Sequence, residues 1–275
     1  MTNKIGFMQG RLSPVVDGKI QFFPWDNWQE EFQIASELGL NCVDWVLDSK
    51  NVFNNPLLDA TQSQVISNLE KKSGVKVISV CSDFFMDFPL FNCDSSEKAK
   101  RIEFLENLIK KCGELNIPFL EIPCVDHSAF QSDTQIFEFT ESISTVASLL
   151  EENNVTIAIE SSIDAKAFKR LVSSIMHPNI KINYDTGNSA SLGYSANEEF
   201  DSFGNYIATI HIKDRILGGS TVPLGEGNVE FSHIAHNLKK YKFSGPLILQ
   251  VARGKDHLQV IKNSMSFLRS FNIIE

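Results

Sequence analysis

The sequence lacks any apolar run approaching the roughly 20 residues needed to cross a bilayer. Its first stretch, MTNKIGFMQGRLSP, meets charge within a few residues and carries no apolar leader. A cytoplasmic protein with no membrane partner is expected. Basic excess is missing as well: 25 Lys and Arg stand against 34 Asp and Glu, for a net charge of −9. Binding a phosphate backbone needs a basic face, so nucleic acid is not an expected partner. Cysteine is sparse, with Cys42, Cys81, Cys93, Cys112 and Cys124 all in the first half and none in C-x-x-C spacing. That reads as reduced thiols, not a disulfide framework or a structural zinc site. No Walker loop and no G-x-S-x-G elbow occurs.

What the chain does have is alternation. Short β-rich runs are predicted at Lys4–Met8, Cys42–Leu47, Val75–Val80, Phe119–Ile122, Val155–Glu160, Ile180–Tyr184, Tyr206–Ile212 and Pro246–Val251. Between them fall helical patterns, among them Asp26–Leu38, Glu97–Leu115, Thr134–Glu152, Ala165–Ile175, Phe231–Lys240 and a last one over Asp256–Phe271. Asp26 stands where an N-cap belongs, with Gln29 three residues on and Gly39 at the far end. The 275 residues divide into eight units of about 34 residues, a natural βα repeat size. Strict alternation implies a parallel sheet, and eight units close a barrel. The fold class is therefore α/β, a single (β/α)8 TIM barrel over residues 1–275. An open doubly wound sheet would show a Gly-rich fingerprint after the first strand, where this chain reads MQGRLSP.

A barrel of this kind carries its chemistry at the C-terminal ends of the strands. The fifth strand ends in Glu160 and the sixth near Asp185; the seventh ends near His211 and the eighth near Gln250. These strands are neighbours, so the four side chains can converge. Their oxygens and one imidazole suit a divalent ion such as Mn²⁺, Mg²⁺, Co²⁺ or Zn²⁺. Asp44 and Trp45 end the second strand, and Glu121 lies in the fourth, where alternation leaves open that it points into the helix layer. Arg11, Lys213, Arg215 and Arg253 ring the same rim as candidate contacts to a phosphate or a hydroxyl. His233 and His236, three apart on an outer helix, read as surface residues. Phe84, Phe85, Phe88 and Phe91 crowd one loop and read as core filling, a lid, or a subunit contact in a homo-oligomer.

NYDTGN (Asn183–Asn188), IHIKD (Ile210–Asp214) and PLGEGNVEF (Pro223–Phe231) resemble the xylose isomerase-like TIM-barrel superfamily. That group holds sugar and sugar-phosphate isomerases and epimerases together with the family 2 apurinic endonucleases. The resemblance is strongest from Val155 to Arg253. It implies that Glu160, Asp185 and His211 hold one divalent metal ion and that the partner is a small sugar or sugar phosphate. Asn188, in the D-x-G-N form, resembles the pentulose-phosphate 3-epimerases; Asn188 and Asp44 are then substrate contacts.

One position departs from the pattern. The epimerases carry a second Glu where this chain has Gln250. Two carboxylates on opposite faces of the sugar are what an epimerase uses, one to remove a proton beside the carbonyl and one to return it. The amide oxygen of Gln250 can ligate a metal, but an amide is no base at neutral pH. Glu160 would be left as a lone base, which suits aldose–ketose isomerisation. Glu226, in the Gly-Glu-Gly turn, is a less favoured source of a second carboxylate. Two other classes stay open: a sugar-binding relative without catalysis, and a metal-dependent hydrolase of the endonuclease branch, which the acidic charge disfavours.

Overall fold

The computed structural model describes residues 3–15 and 18–275. Eight parallel strands close into a barrel: β1 (Ile5–Met8), β2 (Cys42–Val46), β3 (Lys76–Cys81), β4 (Phe119–Cys124), β5 (Thr156–Ser161), β6 (Ile180–Asp185), β7 (Ile207–Ile212) and β8 (Leu247–Leu249). Each pairs with its neighbours in sequence, and β8 closes the ring between β7 and β1. The expected (β/α)8 barrel is the fold observed.

Two apolar layers hold it. The larger packs the outer strand faces against the helices, with Trp45, Phe32, Phe139, Phe200 and Phe203 fully buried. A smaller cluster of Met8, Cys42, Val46, Ile78, Cys81 and Ile248 fills the barrel itself. Gly6 belongs to that inner packing, because a Cβ there would come 2.5 Å from the Cys42 carbonyl and 2.9 Å from Ile248. Cys42, Asp44 and Val46 alternate along β2, so Asp44 shares the interior face with this cluster.

Several boundaries differ from the expectation, for identifiable reasons. Asp26 caps nothing: the first helix runs Glu30–Glu37 and has no side-chain cap. The residues before it are drawn into turns as Trp28 packs edge-on to Trp45, 5.3 Å between ring centroids. The long helix expected over Thr134–Glu152 breaks at Val146 into Asp133–Thr145 and Ala147–Asn153. Ser142, Ser144 and Thr145 all bond back to carbonyls of the preceding turn there, which competes with the helical ladder. Phe84–Asp87 and Thr186–Ser191 form extra short helices within the upper loops. Phe85 and Phe91 are core residues and Phe88 is exposed, so the aromatic loop mostly fills space. All five cysteines are free. No helix among the described residues is long and apolar enough to cross a membrane.

Candidate active site at the barrel mouth

The segment from Asn183 to Asn188 shows why the chain is spelled as it is. Asp185 ends β6 and caps the helix Thr186–Ser191, its Oδ1 accepting from the Asn188 amide at 2.8 Å. Thr186 Oγ1 accepts from the Lys213 amide at 3.0 Å, tying this turn to the end of β7. Gly187 lies against Lys213, where a Cβ would come 2.8 Å from Lys213 Cγ. The turn therefore needs its Gly for close approach, and Asp185 keeps Oδ2 for the pocket.

Glu160, at the end of β5, is held by two amides. Asn188 Nδ2 donates to its Oε1 at 2.6 Å and Asn183 Nδ2 to its Oε2 at 3.1 Å. Thr209 Oγ1 donates to Asn183 Oδ1 at 2.9 Å, which turns the Asn183 NH₂ toward the acids. His211 is fully buried at the centre. Its Nδ1 lies 3.5 Å from Glu160 Oε2, and its Nε2 lies 2.8 Å from Glu121 and 3.1 Å from Asp44. Glu121 thus points into the barrel, not the helix layer. It follows Phe119 by two residues, and the pleat puts both on the inner face.

The electrostatics match this geometry. Burial works against the imidazolium of His211, but Glu121, Asp44 and Glu160 around it outweigh that and raise its affinity for a proton well above the ordinary level. Burial, and then the adjacent Asp44 carboxylate, push Glu121 upward. Asp44 Oδ1 and Glu121 Oε1 find no hydrogen-bond partner.

Glu160, Asp185 and His211 each offer a ligand atom, all within 4.8 Å of one another. Two carboxylates and an imidazole suit a divalent cation, and three protein ligands leave positions open for substrate. Asp44, Glu121 and His211 meet the same distance limit. The two groups share one imidazole, and its nitrogens divide the roles. With Nε2–H donated to the deeper carboxylates, Nδ1 presents its lone pair toward Glu160 and Asp185.

The other expected residues fall into two sets. Lys213 Nζ lies between Asp185 Oδ2 at 3.3 Å and Gln250 Oε1 at 3.0 Å, and Arg215 donates to Asn188 Oδ1 at 2.8 Å. These join the site. Gln250 follows β8, is held by the Ile212 carbonyl, and spends its amide oxygen on Lys213. Arg11 and Arg253 instead brace the loops. Arg11 Nε donates to the Val251 carbonyl at 3.0 Å, and Arg253 donates to the carbonyls of Gly10 and Ser13. Glu226 is exposed, and its turn wraps the Asp214 carboxylate, which accepts from the amides of Gly225, Gly227 and Val229. His233 pairs with Glu230 at 2.8 Å on the outer helix.

Sequence reading missed Asn183, Gln21 and Asp83. Asn183 stands two residues before Asp185 on one strand face, a signal that was available. Gln21 and Asp83 come from loops. Gln21 Oε1 accepts from Gln250 Nε2 at 2.8 Å, and its own amide donates to Asp83 Oδ2 at 2.7 Å.

Comparison with known proteins agrees with this picture. The profile of the xylose isomerase-like TIM barrel matches residues 32–271, and the chain belongs to that family. A putative L-ribulose-5-phosphate 3-epimerase of Haemophilus influenzae is 26% identical over 241 residues, covering 82% of this chain and 83% of that protein. An L-ribulose-5-phosphate 3-epimerase of Shigella flexneri is 22% identical over 233 residues, covering 82% of each. Among solved structures, a D-psicose 3-epimerase from Clostridium cellulolyticum superposes with a TM-score of 0.76 at 14% identity, covering 98% of this chain and 99% of that one. The IolI protein, solved with a bound zinc atom, superposes with a TM-score of 0.78 at 14% identity, covering 97% and 98%. The relatives are sugar epimerases, and this chain is an isomerase-type enzyme.

Proposed function

We propose that this protein is a divalent-metal-dependent epimerase or isomerase of a ketose, with ketopentose 5-phosphates as its substrate class. The observation that carries the reading is the trio of Glu160, Asp185 and His211, brought within 4.8 Å at the barrel mouth. These three would hold the ion, and polarisation of the substrate carbonyl is the chemistry that an ion held there supplies.

The chain's own residues do the rest. Glu160 takes the proton from the carbon beside the carbonyl. Asn183 and Asn188 fix its carboxylate from two sides, so little reorientation is needed. The electron pair of the broken C–H bond moves toward the carbonyl oxygen and leaves an enediol. The Lys213 ammonium, already beside Asp185, stands where negative charge on that oxygen would build. Lys213 and Arg215 are the cations that line the mouth, and Arg215 is the better placed for a phosphate because it lies farther out. The matched relatives act on a ketopentose 5-phosphate, which supports the phosphorylated substrate.

Incubation with L-ribulose 5-phosphate and Mn²⁺ in D₂O tests this. Deuterium entering the carbon beside the carbonyl, and stopping when EDTA removes the metal, is the expected result. Absence of exchange with L-ribulose 5-phosphate, D-psicose and D-fructose, on protein shown to bind Mn²⁺, would overturn the proposal.

A further inference from the structure

Gln250 leaves the site one proton-transfer group short for inversion at carbon. We propose that Asp83, in the loop after β3, is the second catalytic carboxylate, facing Glu160 across the pocket. This rests on the epimerase reading above and assigns to that site the group that makes it invert configuration.

Placement comes first. Asp83 ends a hydrogen-bonded arc around the mouth. Its Oδ2 accepts from Gln21 at 2.7 Å, Gln21 accepts from Gln250 at 2.8 Å, Gln250 accepts from Lys213 at 3.0 Å, and Lys213 reaches Asp185 at 3.3 Å. Glu160 leans the other way, drawn by Asn183 and Asn188 toward β6 and β7. The two carboxylates are thus anchored to different walls, with the substrate space between them. Asp83 is only partly buried, so its carboxyl remains within reach of a ligand.

Environment comes second. The charged or titratable groups that face Asp83 are Arg11 after β1, Asp44 on β2, Cys81 on its own strand and Glu160 on β5. Burial chiefly, then the Glu160 and Asp44 carboxylates, push Asp83 up to about 6, against the hydrogen bonds from Gln21 and Cys81. An acid in that range keeps a usable protonated fraction near neutrality, which a proton donor needs. Gln21 does for Asp83 what the asparagines do for Glu160: it fixes the oxygens through a neutral amide and leaves the charge free to change.

The step balances. Glu160, as carboxylate, takes the proton as the C–H bond breaks and the enediol forms. Asp83, as carboxylic acid, gives its proton to the opposite face. The new C–H bond forms as the electron pair leaves the enediol and the carbonyl is restored. Glu160 then holds one proton and Asp83 none, and exchange with solvent resets both. In reverse the roles swap.

Asp83→Asn separates the two halves of the reaction. With L-ribulose 5-phosphate, Mn²⁺ and D₂O, this variant should lose about 100-fold or more of its epimerisation rate. Solvent deuterium should still enter the same carbon with configuration retained, because Glu160 remains. Asp83→Ala should regain epimerisation on addition of formate, which guards against a fold defect, and Mn²⁺ affinity should match the parent. If Asp83→Asn still epimerises at the parent rate, or raises KM with kcat unchanged, Asp83 is not a proton-transfer group, while the epimerase reading survives. If the parent protein itself neither exchanges nor converts the sugar, both fall.

Discussion

On the β5–β7 side of the mouth, the polar side chains leave strands. Glu160, Asn183, Asp185, Thr209 and His211 are all ladder residues, and Asp185 pairs with His211 in register. On the side formed by β8, β1 and β3, they leave loops. Gln21 and Asp83 lie beyond strand ends, and Gln250 is one residue past β8. The first side is pinned by backbone hydrogen bonds of neighbouring strands; the second is pinned by side chains gripping carbonyls and amides. Strand-borne groups suit chemistry that needs fixed geometry. Loop-borne groups can vary among relatives of one fold, and so suit the choice of substrate and of outcome.

The sharpest way to break this contrast is to remove the base on the strand side. Glu160→Gln should lower turnover of L-ribulose 5-phosphate by about 10²- to 10⁴-fold. Deuterium exchange should disappear with it, unlike the expectation for Asp83→Asn. The amide keeps the contacts to Asn183 and Asn188 in part, so far-UV circular dichroism should be unchanged. A loss of less than about tenfold would mean that the loop side carries the first proton transfer as well.

A smaller effect is expected one layer below. Glu121 and Asp44 receive His211 Nε2 and thereby aim Nδ1 upward. Glu121→Leu should weaken Mn²⁺ or Zn²⁺ affinity by about 10- to 100-fold, the usual consequence of removing the partner that orients a ligating His. Glu121→Gln, which still accepts from Nε2–H, should lose much less. Titration calorimetry on metal-free protein gives both numbers. Equal affinity in the Leu variant would show that the ladder alone fixes the imidazole.

The difference between the two sides also explains what could be read from sequence. The number of strands was legible because each short apolar run recurs at an even spacing, and a closed barrel then dictates where their ends meet. Glu160, Asp185 and His211 end those runs, so their convergence followed from topology. The fate of Glu121 turned on a single step of strand parity, which an uncertain strand start could reverse; its pairing with Cys81 fixes it. Gln21 and Asp83 carried no signal, since a loop residue has no periodicity to say which way it faces. The same gap explains Arg11 and Arg253. Their charge suggested phosphate, but the β1 and β8 loops present backbone carbonyls to them at close range. The missed break at Val146 came from hydroxyls that are neutral in a composition count and become competitors only once they bond back along the helix.

The smallest effect on chemistry is expected where the loop side is braced from behind. Glu31 is buried on the first helix, and its carboxylate holds the turn after β1: Oε2 accepts from the Gly10 amide at 3.0 Å, and Oε1 accepts from the Leu12 amide at 3.0 Å and the Ser13 hydroxyl at 2.9 Å. Gly10 adopts φ +86°, so the turn cannot relax into an ordinary strand without losing these bonds. A Gln side chain has the same shape but only one acceptor. In either amide orientation an NH₂ faces a backbone N–H, and one buried donor is left without a partner. Glu31→Gln should therefore cost about 1–3 kcal/mol of stability, and Tm should fall by about 2–4 °C for each kcal/mol. Turnover of the folded variant at 25 °C should stay close to that of the parent, because Glu31 touches no group at the mouth directly. Calorimetry and a kinetic assay on the same preparation check the split. A Glu31→Gln variant of normal Tm whose turnover drops as far as that of Asp83→Asn would mean that the loop side is positioned for catalysis as strictly as the strand side.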